Sequence, residues 1–98
     1  MILVRDIFQL KFGKARDALA LWKEGKKLMQ ATGHNPGRIM TDLTGPYYTL
    51  VLESEFASLA EFESGHANTG MSDDVRKWYL RFTELVDSGR REIFTIVE

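Results

Sequence analysis

The spacing of apolar positions along this chain switches repeatedly between a strand-like and a helix-like pattern. Ile2 to Leu10, ILVRDIFQL, is rich in β-branched and aromatic residues and predicts a first strand, with Lys11-Phe12-Gly13-Lys14 as the turn out of it. From Ala15 the apolar positions fall at Ala15, Ala18, Leu19, Trp22 and Met29 with charges between them, the 3.6-residue period of a helix with one buried face. Gly33 and Asn35-Pro36-Gly37 end that helix, because glycine suits a helix C-terminus and proline cannot continue one. Arg38 to Leu43 predicts a short second strand, Thr44-Gly45-Pro46 a turn, and Tyr47 to Phe56 a third strand.

The second half repeats the alternation. Leu59, Phe62 and His66 share one helix face, and Asn68-Thr69-Gly70 breaks that helix. Another opens near Ser72-Asp73-Asp74, where short polar and acidic side chains suit the free N–H groups and the helix dipole. Val75, Trp78, Tyr79, Phe82, Leu85 and Val86 give it the cleanest apolar stripe in the chain. Ser88-Gly89 ends it, and Arg90 to Val97 is the last strand. The order β-α-β-β-α-β, with its second helical segment split in two, predicts an α+β ferredoxin-like sandwich. It consists of a four-stranded antiparallel sheet with helices on one face. Residues 1–98 form a single domain, since a chain of this length has no room for a second core.

Parity then divides the sheet. In the third strand Tyr48, Leu50, Leu52 and Phe56 make one apolar face, expected to meet the helices, while Tyr47, Thr49, Val51, Glu53 and Glu55 make a mixed one. In the last strand Ile93, Thr95 and Val97 lie opposite Phe94 and Ile96. A half-apolar open face is typical of a surface that meets a partner or encloses a ligand. Arg5 and Asp6 are adjacent in the first strand and so point to opposite faces, but parity alone does not say which goes where. A charge in a central strand needs a partner, and for Arg5 or Asp6 a structural ion pair, with Glu53 a candidate, weighs more than catalysis.

Composition narrows the function. Hydrophobic residues at 44% and charged ones at 28% are those of an ordinary globular protein, and a formal net charge of −1 offers no basic footprint for nucleic acid or an anionic membrane. The absence of cysteine excludes disulfides, thiolate metal sites and cysteine nucleophiles. His34 and His66 lack metal-ligand spacing, so no metal is expected, and His34 reads as a solvated turn residue. MILVRDIF is too short and too polar for a signal peptide or membrane span, which predicts a cytoplasmic protein. Trp22 and Trp78 fall on apolar stripes, where each indole N–H needs a partner if buried, and Gly25 within the first helix implies either close packing or a bend.

The first strand leading through Lys11-Phe12-Gly13-Lys14 into an amphipathic helix resembles the opening of dimeric α+β barrel proteins. Leu52-Glu53-Ser54-Glu55 followed by Leu59, Phe62 and His66 resembles their third strand and second helix. DVRKWYLRF, Asp74 to Phe82, and the closing REIFTIVE are similar to NIPSNAP-type proteins, and the antibiotic-biosynthesis-monooxygenase group is also similar. The resemblance implies a homodimer in which two sheets face each other to form a barrel, with a cavity in each protomer. Haem-degrading members use an asparagine in strand one, a tryptophan ending strand three and a helical histidine. This chain carries Arg5 and Asp6 at the first place and Leu52 or Glu53 at the second, with His66 alone as a match, so no cofactor is expected.

Three functions compete. One is a barrel that holds a small, partly apolar ligand in each protomer, whose enzymatic version by resemblance is cofactor-free monooxygenase chemistry. Another is a purely structural or regulatory homodimer. The third, an RNA-recognition domain, shares the element order but needs a basic-Gly-aromatic motif on strand three, and PYYTLVLE lacks it. The expectation is the ligand-holding homodimer, with self and a small molecule as partners. His66 is the candidate group for proton transfer, against a plain helix-end histidine, and Arg5, Tyr47, Thr49, Glu53 and Trp78 are the candidate ligand-binding residues.

Overall fold

A computed structural model describes residues 1–31, 37–69 and 73–98, and the side chains of all of these except residues 31 and 65–69. Its elements run β1 (Ile2–Leu10), α1 (Ala15–Ala31), β2 (Arg38–Thr41), β3 (Thr49–Phe56), α2 (Leu59–Thr69), α3 (Asp73–Thr83) and β4 (Val86–Thr95). The four strands form one antiparallel sheet in the order β2-β3-β1-β4. This is the expected α+β ferredoxin-like sandwich with its second helical segment in two pieces. The helix terminators Gly33, Asn35 and Pro36, the residues Gly70 and Ser72, and His34 lie outside the described residues.

One sheet face carries the core. Leu10, Leu50 and Leu52 from the sheet pack against Ala18, Leu21 and Trp22 of α1 and Trp78 and Phe82 of α3. The rings interlock edge to face: Trp22 meets Trp78 at 4.6 Å and Phe82 at 5.3 Å, while Phe8 meets Phe82 at 5.0 Å. Leu21, which the apolar stripe of α1 did not include, is buried as well. Gly25 reflects close packing. A Cβ there would lie 2.4 Å from Cζ2 of Trp78, so the absence of a side chain lets the indole rest on the helix backbone. Trp78 Nε1 then donates to the Leu21 carbonyl one turn earlier, at 2.6 Å.

Several element boundaries differ from the sequence reading, most of them for a local reason. The strand expected over Arg38–Leu43 ends at Thr41, because the Asp42 carboxylate takes the Thr49 N–H at 2.9 Å in place of a strand partner. The third strand starts at Thr49, not Tyr47, because Tyr48 is left-handed with φ of 58°. Its carbonyl accepts from Leu10 N–H, and the Gln9 amide donates to the carbonyls of Tyr47 and Tyr48, which holds the turn. The helix expected to end at Ser88-Gly89 stops at Thr83. Leu85 donates to Phe82 and its carbonyl takes the Lys11 N–H, so Val86 pairs with Leu10 and opens β4. Ser88 and Gly89 are therefore strand residues, and Gly89 makes room for Phe8, whose ring would lie 2.8 Å from a Cβ there. The α2 helix continues through Asn68 and Thr69, and Leu59, on the helix face of Phe62, is exposed.

Candidate functional site

The side of the sheet away from the helices carries a row of alternating charges. Register places Arg38 opposite Glu53, Glu53 opposite Arg5, and Arg5 opposite Glu92, so four neighbouring strands contribute one charge each. Glu53 is the hub, with Arg38 Nη2 at 2.6 Å from Oε1 and Arg5 Nε at 2.9 Å from Oε2, while Arg5 Nη1 lies 3.7 Å from Glu92. Glu53 is only 7% exposed although it lies on the face away from the helices. Burial by itself pushes its pKa up. The hydrogen bonds from Arg38 and Arg5, with their charges, outweigh that and hold the carboxyl below its ordinary value of 4.5. Around the row Leu3, Ile7, Met40 and Val51 are half-buried, and Phe94 lies under the Arg5 guanidinium at 5.3 Å. Arg5, Ile7, Met40, Thr49, Val51 and Glu53 line an open depression of about 680 Å³.

The helical side contains a larger space. α1 and α3 cover the middle of the sheet, but the core-facing side of β4 is uncovered, with Arg91 exposed and Ile93 42% exposed. A cleft of about 920 Å³ opens there, walled by Phe8, Trp22, Phe62, Trp78, Tyr79 and Phe82. Asp6 and Arg91 project into this apolar wall as a pair, with Arg91 Nε 2.6 Å from Asp6 Oδ1. The Arg91 guanidinium lies 5.0 Å above the Phe62 ring, and Phe62 packs on Phe56 at 5.2 Å. Trp22 Nε1 is buried without a hydrogen-bond partner among the described residues, in contrast to Trp78 Nε1.

These two faces divide the residues singled out from sequence. Arg5, Thr49 and Glu53 come together on the open face, and the Arg5–Glu53 ion pair forms as expected. Tyr47 stands exposed outside that depression, edge-on to Phe12 at 6.4 Å. Trp78 lies on the opposite side of the sheet, 3% exposed, in the core and against the cleft. His66 belongs to α2, and its side chain is outside the described residues. Sequence reasoning missed Arg38 as the second clamp on Glu53 and Arg91 as the partner of Asp6. One signal was available: Asp6 shares parity with Val4 and Phe8, so it was an acid on an apolar face that required a cation. The strand pairing that supplies Arg91 cannot be read from spacing. Among the described residues no group of three His, Cys, Asp or Glu side chains is placed to hold a metal ion, and no described helix is long and apolar enough to cross a membrane.

Known structures share this architecture closely. A NIPSNAP family protein from Agrobacterium tumefaciens superposes with a TM-score of 0.91 at 18% identity, over 99% of this chain and 86% of that one. A NIPSNAP domain protein from Burkholderia xenovorans gives 0.90 at 9% identity, over 99% and 95%. An antibiotic biosynthesis monooxygenase gives 0.71 at 14% identity over the full length of both chains. No family model matches the sequence, and no curated protein does. At these identities the likeness is one of fold: the chain has the α+β ferredoxin-like fold seen in those NIPSNAP and antibiotic biosynthesis monooxygenase structures over nearly its whole length.

Proposed function

We propose that this protein is a homodimeric carrier or receptor for a small, partly apolar molecule, one held in the helix-side cleft of each protomer. The observation that carries the reading is the cleft itself. A core side of a sheet normally fills with side chains at crystal-like density. Here about 920 Å³ is left beside β4, walled by aromatic rings and furnished with the Asp6–Arg91 ion pair. Spaces of this size and lining are those in which small ligands bury most of their surface. The open face supports the dimeric half of the reading. It sets Ile7, Met40, Val51 and Phe94 around charges of both signs, so it is self-complementary, as a two-fold interface requires. The barrel resemblance implies pairing of the same face.

The reading assigns separate tasks to the two faces, and native mass spectrometry of freshly purified protein tests both. The expected result is a dimer carrying small-molecule adducts. A bare dimer that also takes up no apolar probe favours a purely structural or regulatory homodimer, and a monomer removes the pairing of open faces. Phe94→Glu, at a position 46% exposed on the open face, should leave the fold intact but shift the dimer toward monomer, because it puts an acid where pairing would bury an apolar ring.

A further inference from the structure

The ion pair inside the cleft restricts the head group of whatever binds there, an inference that rests on the ligand-holding reading above. Asp6 and Arg91 face each other across β1 and β4, on the side of the sheet that otherwise presents Val4, Phe8, Leu50 and Leu52. Their bond uses one oxygen of the carboxylate, Oδ1, and one nitrogen of the guanidinium, Nε. The pair does not engage Oδ2 of Asp6 or the two terminal amino groups of Arg91. Both side chains retain access to the cleft, at 23% and 41% exposure. The Phe62 ring beneath Arg91 fixes the guanidinium against the aromatic wall. Among the described residues the other charges lining the cleft are Arg76, bound to Asp73 at 2.8 Å, and Asp87 and Arg90 on β4.

We propose that Asp6 and Arg91 are a head-group subsite selecting a neutral group with a hydrogen-bond acceptor beside a donor, such as a primary carboxamide, on a flat apolar body. The acceptor oxygen receives an N–H from a terminal amino group of Arg91, and the donor N–H goes to Oδ2 of Asp6. Asp6 sets the charge preference. A ligand carboxylate reaching for Arg91 meets the Asp6 carboxylate at close range in a half-desolvated site, where like charges repel strongly. Asp6 is thus a specificity residue that rejects anions, while the aromatic wall is indifferent to charge and binds the body of the ligand.

The test compares 2-naphthamide with 2-naphthoate, two probes with one ring system and different head groups, by calorimetric titration of the intact protein. The wild type is expected to bind the amide about tenfold more tightly. Asp6→Asn retains a hydrogen-bonding side chain but removes the negative charge beside Arg91, so the preference should reverse toward the carboxylate. Arg91→Met should weaken both probes. If Asp6 only supported the fold, its loss would lower both affinities together and leave their ratio unchanged. Equal binding of the two probes by the wild type, or a preference for naphthoate, overturns the head-group assignment while leaving the cleft as a binding site. If neither probe binds, the cleft reading itself fails and the subsite with it. The wild-type ratio decides the matter even if a variant does not fold.

Discussion

Arg5 and Asp6 are consecutive residues of one strand, and they end on opposite sides of one sheet in ion pairs of very different character. On the open face both oxygens of Glu53 are taken, one by Arg38 and one by Arg5, and the carboxylate is almost fully buried between them. On the helical side Asp6 has a single arginine, uses a single oxygen in that bond and remains partly accessible in a cleft. A buried carboxylate bonded at both oxygens is costly to rearrange and has little to offer a ligand. A half-used pair in an apolar cavity can exchange hydrogen bonds with a guest at little cost. The difference assigns the Glu53 row to architecture and the Asp6 pair to recognition, although a sequence reader weighing charges alone would favour Glu53 for both.

The largest effect should come from removing what makes the helical side a packed layer. Trp78 closes the core over Gly25, donates to Leu21 and meets the rings of Trp22 and Phe82. Trp78→Ala is expected to cost about 3–5 kcal/mol, a large part of the roughly 5–15 kcal/mol available to a domain of this size. Urea titration at one fixed protein concentration measures it, since self-association would shift the midpoint with concentration. A loss under about 1 kcal/mol would mean that the cleft reaches into the core and that Trp78 is wall, not floor.

The extent to which the sequence foretold this arrangement follows from what each signal depends on. Local periodicity placed α1, β1 and the core of α3 correctly because their patterns are long and one face of each is buried. It failed at Leu85 and Val86, which continue a helical period although Leu85 accepts from Lys11 and Val86 pairs with Leu10 of β1, and at Ser88-Gly89, where residues typical of a turn sit inside a strand to clear Phe8. Parity correctly grouped Thr49, Val51 and Glu53 on one face and Leu50 and Leu52 on the other. It could not orient Arg5 and Asp6, because both sets in β1 are apolar around the charge. Only pairing across strands resolves that, placing Glu53 and Glu92 beside Arg5 and Arg91 beside Asp6. The cleft was not legible at all, since it depends on how far α2 and α3 leave β4 uncovered, a property of packing between elements distant in the chain.

The same isosteric change in the two acids sharpens the contrast. Glu53→Gln leaves two arginines facing a neutral amide and should cost about 1–3 kcal/mol at neutral pH, while Asp6→Asn, partly solvated, should cost under about 1 kcal/mol. Acid should erase the first difference. The Glu53 pKa is lowered on folding, so its contribution is present above the ordinary carboxylate value of 4.5 and is lost as pH falls through the lower folded value. Urea midpoints of wild type and Glu53→Gln should therefore keep a constant gap above about pH 5 and converge below it. A gap that widened in acid would reverse the sign of the shift and remove the reason for treating the row as architecture.

The smallest effect is expected at Trp22, and it is informative because of where that residue sits. Trp22 shares the aromatic core with Trp78, is nearly as buried and also lines the cleft, so size and burial alone predict similar losses on truncation to Phe. Their indole nitrogens differ. Trp78 would lose its bond to Leu21, whereas Trp22→Phe removes a buried N–H that has no hydrogen-bond partner among the described residues, and relieving that penalty offsets the ring area given up. Trp22→Phe should consequently lie within about 0.5 kcal/mol of wild type, with Trp78→Phe about 1–3 kcal/mol below it. Chemical denaturation of the two variants side by side measures the difference. A large loss at Trp22 would show that its N–H is satisfied after all, by a ring face or by a guest held in the cleft. Repeating the measurement after extraction of bound small molecules separates these, because only the guest's share disappears with the guest.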